Sequence, residues 1–379
     1  METKQIVWED LGVKAEMSVF APEGGVAEMH AILHVEPCGE MFAGQLARLY
    51  AAEERLVEVP EMQGATPVMK RYFLSDATNQ RPLMKDTTDC ACSYIQQQPL
   101  DGSKVGVWIY LQRGTAVSTE NGIVVSSHNG YRHLWQMGMC ENRGDAALQT
   151  DHLLVKYEEA LKQFGATLEQ NCIRTWFFVR DVDTQYGGMV RARRENFEEQ
   201  GLTSETHFIA STGIGGVPAD PRAIIQMGTY ALMGFEVEQQ HYLYARTHLN
   251  PTYEYGVTFE RGTCMEYGDR RHAYISGTAS INNKGEVVHV GDIVGQMHRM
   301  WENVETLLAE AGTTFDDVMQ IIVYLRDLAD YDVVESRFKE KFPHTPYIIT
   351  LAPVCRPAWL IEMECVAVKE QKNEKFRNF

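Results

Sequence analysis

The chain has 379 residues, 44% of them apolar and 23% charged, with a formal net charge of −17. That acidity argues against a nucleic-acid surface, which needs a basic face to displace counterions. Its longest apolar runs fall far short of the roughly 20 residues of a membrane span, and the opening METKQIVWED has no apolar signal core.

Eight scattered cysteines include no CxxC pair, and the lone Cys90-x-Cys92 has no partner pair nearby to complete a zinc site. The twelve histidines show no ligand spacing. The expectation is a cytoplasmic protein with neither metal nor cofactor. An anionic substrate would need a local cationic pocket against the unfavourable background field.

In chain order, an amphipathic helix begins at Gln45, and the apolar strand VMKRYFLSD follows at 68–76. A further strand is expected at 104–110. The same helix-then-strand sequence recurs from Gln149 to IRTWFFVRD at 173–181, and from Gln296 to MQIIVYLRD at 319–327. The strand starts 23, 24 and 23 residues after its glutamine (45 to 68, 149 to 173, 296 to 319). In the last helix Met297, Met300, Trp301, Val304, Leu307 and Leu308 recur at helical spacing.

The later two copies match further. YLQRG at 110–114 answers TFERG at 258–262, and RHLWQMG at 132–138 answers HAYISGT at 272–278. Second helices are expected around Tyr186 to Phe197 and Tyr331 to Phe342. IIQMGTYAL at 224–232 and LIEMECVAV at 360–368 close the two units. This periodicity fixes the architecture. It predicts α+β units, each a mixed sheet with two helices on one face, at 1–106, 107–245 and 250–370, with a tail at 371–379.

The copies differ at polar positions. Gln226 answers Glu362, and Gly228 answers Glu364. Alternation along a strand puts Glu362 and Glu364 on one face, otherwise aliphatic and turned toward the other units. Apolar surroundings and a second carboxylate both raise a carboxyl pKa, which keeps a proton available near neutrality. The competing assignment is a structural ion network with Arg356 or another cation. Arg191, Arg193 and Arg194 cluster on the middle unit's second helix, and Arg270 and Arg271 fall in an expected loop.

YISGTASINNKGEV, the helix from Gln296, EAGTTFDDVMQIIVYLRDLADY and IEMECVAV make the third unit resemble the Rid/YjgF family, formerly labelled L-PSP endoribonuclease. The resemblance implies trimers with clefts between subunits, here closed within one chain as a pseudo-trimer. It also implies hydrolysis of enamines and imines, with the substrate carboxylate held by an arginine two residues after a proline. In PYIIT that position is Ile348.

RTW from Arg174, the Tyr186 to Arg193 spacing, STGIG at 211–215 and CRPAWLIEME at 355–364 are similar to the chorismatases, a Rid-like branch. There a glutamate on the final strand is catalytic, and it lines up with Glu362; Cys355 takes the place of a cysteine seven residues earlier.

The implied chemistry is protonation of the enolpyruvyl ether of chorismate, or of a related cyclic carboxylate, releasing pyruvate. Glu362 is the expected acid and Cys355 its companion. Arg193, Arg261, Tyr255, Thr212, Gly213, Gly215 and Glu364 are the expected contacts for a small anionic metabolite. Two alternatives remain: a Rid-type enamine or imine hydrolase, and a non-catalytic metabolite-binding protein.

Overall fold

The computed structural model describes residues 1–379, arranged as three mixed sheets of seven, six and seven strands. In each sheet a closing strand lies centrally between an antiparallel neighbour and a second strand that continues into a parallel one. These closing strands are Val105–Arg113, Ile225–Met233 and Ile361–Glu370. Helices Phe42–Leu56, Ala146–Lys162 and Ile293–Glu310 bury their apolar stripes on the sheets.

The repeated glutamine has a physical reason. Gln45, Gln149 and Gln296 are buried, and each uses its side-chain Oε1 to accept a backbone N–H at the entry to the closing strand. The donors are Lys104 (2.7 Å), Ile224 (2.7 Å) and Leu360 (2.9 Å). A backbone donor that would otherwise be orphaned is satisfied, and helix and strand are locked together.

The units close on one another in a ring. Gln98–Pro99 of the first unit adds to strand Tyr347–Leu351 of the third. Val354 of the third bridges Ile214 of the second, and Val217–Pro218 of the second adds to strand Ala91–Gln96 of the first. One edge of each sheet, the one formed by its parallel strand, is thereby covered by a neighbour's segment, the usual protection against unwanted pairing.

Three expectations change. The first unit's closing strand runs to Arg113, so YLQRG at 110–114 ends that sheet instead of opening the next, and the 106/107 boundary moves past it. The first unit has one full helix; its second is a single turn, Ala77–Gln80. Arg270 and Arg271 begin strand Arg270–Ala279, where buried Arg270 pairs with Glu28 of the first unit at 2.7 Å.

Candidate active site

Strand pairing brings one equivalent position of each sheet to each inter-unit cleft. In the third sheet Glu362 lies opposite Ala279; in the second, Gln226 lies opposite Cys140; in the first, Gly106 lies opposite His34. Only the cleft between the second and third units therefore holds a carboxyl there. It is walled by the helix Val182–Glu199, the strand Ala210–Gly215, the segment 255–261 and the Cys355–Trp359 turn.

Glu362 is 5% exposed and opens onto this cavity. Burial and then the charge of Glu364 push its carboxyl up to about 8, against the opposing pull of Arg261 and Arg174. No hydrogen bond holds the carboxyl. Its seat depends on Gly277, where an added Cβ would stand 2.1 Å from Glu362 Oε1.

Three guanidiniums line the same cavity without a carboxylate partner. Arg193 donates from Nε to Thr258 Oγ1 at 3.3 Å and leaves Nη2 buried and unpartnered. Arg261 donates to the carbonyl and side-chain oxygens of Asn250 at 3.1 and 3.3 Å, leaving Nε unpartnered. Arg356 stacks over Tyr255 and Trp359 at 4.5 and 4.8 Å. Buried cations without counter-charge are costly unless a ligand supplies it. Arg193 and Arg261 are such buried cations and Arg356 is half-buried, so the cavity is locally cationic within a chain of net charge −17.

Cys355, Tyr255 and Gly213 line the cavity too. Burial and Glu362 push the Cys355 thiol up to about 12, so it is a neutral thiol, not a thiolate nucleophile. Burial likewise raises the Tyr255 and Tyr186 phenols. Gly213 lets the Tyr186 ring approach, since a Cβ there would meet that ring at 3.0 Å.

Three expected contacts are corrected. Glu364 does not line the cavity and accepts from Arg71 Nη1 (3.1 Å), Arg174 Nη2 (2.8 Å), Trp176 Nε1 (3.0 Å) and Thr212 Oγ1. These cations hold its carboxyl below the usual range despite full burial. The Thr212 hydroxyl is committed to Glu364 and to the Gly277 N–H, and the Gly215 N–H donates to the Pro353 carbonyl at 2.9 Å. None of the three is free for a ligand. Glu364 is thus the ion network that the carboxylate pair allowed, with Arg71 and Arg174 as its cations in place of Arg356.

Sequence reasoning missed Tyr186 and Arg356 as walls, and Gly277 as the seat of the acid. Tyr186 and Arg356 lay inside quoted motifs, seven residues before Arg193 and one after Cys355. Gly277 lay inside the quoted HAYISGT, but only the fold brings it beside Glu362. Ile348 lines a different cleft, between the third and first units.

The free volume within the candidate cavity is ≈ 40 Å³, close to the share of about one water molecule. The segment Thr252–Phe259 forms part of its wall. It is held by Arg194, which donates to the Gly256 carbonyl, and it turns at Gly256 with φ 85°.

The endoribonuclease L-PSP family pattern matches residues 266–369. Over 97 residues the chain is 34% identical to the 3-aminoacrylate deaminase RutC of Acinetobacter baylyi, spanning 25% of this chain and 76% of that protein. Over 100 residues it is 36% identical to a RutC family protein of Pyrococcus abyssi, spanning 26% and 78%. A crystal structure of a chorismatase superposes with a TM-score of 0.66 at 18% identity, covering 92% of this chain and 99% of that one. At that identity the likeness is one of fold.

Proposed function

Because the chain belongs to the Rid/YjgF superfamily and has the three-unit fold of a chorismatase, we propose that the cleft between its second and third units is the active site of a hydrolase. Its substrate is chorismate or a related cyclic carboxylate bearing an enolpyruvyl ether. One observation carries this reading: a buried carboxyl without hydrogen bonds, Glu362, which burial and Glu364 push up to about 8, beside three guanidiniums without carboxylate partners.

Arg193 and Arg261 present buried, unpartnered N–H donors for two carboxylates. Tyr186 and Tyr255 supply neutral hydroxyls for ring oxygens. With the substrate seated, the Glu362 O–H protonates the methylene carbon of the enol ether, and the positive charge is shared with the ether oxygen as an oxocarbenium ion. Water adds to the ether-bearing carbon, not to the new methyl group, as the Glu362 carboxylate recovers a proton. The hemiketal then breaks its C–O bond, releasing pyruvate and the ring alcohol, with one water consumed.

Cys355 packs beside the acid as a neutral wall. The segment 252–259, as a wall over the substrate, would exclude bulk water and sharpen the electrostatics.

The test is incubation of the protein with chorismate while pyruvate release is followed. Release that disappears in Glu362→Gln supports the reading; turnover that persists in that variant overturns it. A second reading is favoured by the relative named 3-aminoacrylate deaminase. An enamine is also protonated at carbon, so Glu362 would serve that chemistry with ammonia as the product. Ammonia from a 2-aminoacrylate source, with no pyruvate from chorismate, would select it.

A further inference from the structure

The cleft between the third and first units is the larger cavity, ≈ 350 Å³, and its chemistry is inverted at equivalent places. Tyr331 begins the helix Tyr331–Lys341 and Tyr186 lies in the matching helix Val182–Glu199; seven residues on, the position that is Arg193 in one is Phe338, buried in the core, in the other. The Arg261 carbonyl accepts from Ser276 N, in the bulge opposite Glu364; the equivalent ladder position pairs Ile32 with Glu16. One guanidinium is thus lost from the cleft, its position given to a core phenyl ring, and another is replaced by a carboxylate. Ile348 occupies the Thr212 position, since each pairs with the equivalent residue of the strand beside it.

Across from Gly106, His34 bridges two carboxylates, with Nδ1 at 3.3 Å from Asp101 and Nε2 at 3.6 Å from Glu16. Glu335 and Glu36 add two more acids. The cations besides His34 are Lys14 and Lys339, whose side chains are 35% and 66% exposed. With His34 protonated, four acids face three cations. Both His34 nitrogens point at carboxylates, so His34 offers little to an anion. Between the charges the wall is apolar, formed by Val13, Val35, Ile348 and Ile349, with the rings of Tyr331 and Tyr347 beside them.

We propose that this cleft is a second ligand site, for a small molecule bearing a protonated amine on an apolar body. The ammonium sits between Glu16 and Glu335, displacing the flexible ends of Lys14 and Lys339. Those lysines pair with the same two carboxylates at 2.6 and 2.9 Å. The hydrocarbon lies on the isoleucines, and the tyrosine faces add cation–π attraction. The protein's net negative field favours a cation here, as it disfavours an anion. This site stands independently of the hydrolase reading.

The test is calorimetric titration of the full chain at neutral pH with isoamylamine, and with isovalerate as its anionic counterpart. Saturable binding of the amine, about tenfold or more tighter than the carboxylate, is expected. Glu16→Gln should weaken amine binding about tenfold. Lys339→Ala changes an exposed residue without threatening the fold; it should tighten binding severalfold by freeing Glu335. Glu362→Gln, in the other cleft, should leave amine binding unchanged. Equal binding of isovalerate, amine binding indifferent to both Glu16→Gln and Lys339→Ala, or its loss in Glu362→Gln would each overturn the proposal.

Discussion

Arg71 of the first unit donates from Nη1 to Glu364 Oε1 of the third at 3.1 Å, with both side chains almost wholly buried. The first unit builds no wall of the candidate active site, yet through this contact it bears on the proton of Glu362. Glu364 stays ionised because Arg71 and Arg174 compensate it, and the ionised Glu364 helps to hold Glu362 protonated two residues away. The rings of Trp108, Trp176 and Phe178 pack about 5 Å from the Arg71 guanidinium carbon and fix it in place. The first unit therefore acts as an electrostatic support.

Glu364→Gln tests that coupling. Removing the carboxylate leaves two buried guanidiniums uncompensated, a change that typically costs about 3–5 kcal/mol. It also deletes the charge that raises Glu362 and strengthens the relative pull of Arg174. Urea unfolding should show the loss of stability. In whatever turnover survives, the alkaline limb of the pH–rate profile should move to lower pH. An unmoved limb would show that Glu364 does not set the proton on Glu362.

Glu362→Gln should abolish turnover and stabilise the fold. Glu362 ordinarily titrates at 4.5 and is held at about 8 when folded, so between those values the native state binds a proton that the unfolded state has released. Stability contributed by this group accordingly falls as pH rises from about 4.5 to about 8. The amide has no such liability. Thermal unfolding of the two proteins should nearly coincide at pH about 4, with the variant melting higher at pH about 8. In the unmodified protein, turnover that needs the protonated acid should fall as pH passes about 8.

The threefold scaffold was legible because hydrophobic periodicity and the glutamine-to-strand spacing are local properties of the chain. Gln45, Gln149 and Gln296 could be aligned before their job was visible, since each clasps a strand distant in sequence. The cleft was partly legible. Glu362, Cys355, Arg193, Arg261, Tyr255 and Gly213 meet at one cavity. Glu364 and Thr212 share strand faces with no sign in sequence of which neighbour they meet. Their assignment to a ligand failed because the partners come from other units: Arg71 and Arg174 for Glu364, and Glu364 and Gly277 for Thr212. Pairwise contacts across a ring of repeats leave no trace in the periodicity of any one repeat.

Gly277→Ala should displace the acid with little cost elsewhere. Its Cβ would lie 2.1 Å from Glu362 Oε1 and 3.0 Å from Thr212 Cγ2, so the carboxyl must rotate away from its seat. Misplacing a reacting group by about 1 Å can cost on the order of a hundredfold. The expected result is a large fall in kcat with the fold retained by circular dichroism. Wild-type kcat in this variant would mean that the seated carboxyl is not the working position.

His34 offers a stability signature for the opposite cleft. Asp101 and Glu16 raise the imidazole to about 9, and in return His34 and Lys14 hold Glu16 near 2. The His34 contribution is fully present below its ordinary value of 6.5 and is lost as pH rises toward 9. The Glu16 contribution is present above its ordinary 4.5 and is lost as pH falls toward 2. The two overlap between about 4.5 and 6.5. His34→Gln should therefore destabilise the protein most in that window, with the difference from wild type fading by pH about 9 as the unmodified imidazole loses its proton. Chemical denaturation of both proteins across that range is the measurement. A difference independent of pH would mean that His34 contributes by packing alone and is not held as an imidazolium between its two carboxylates.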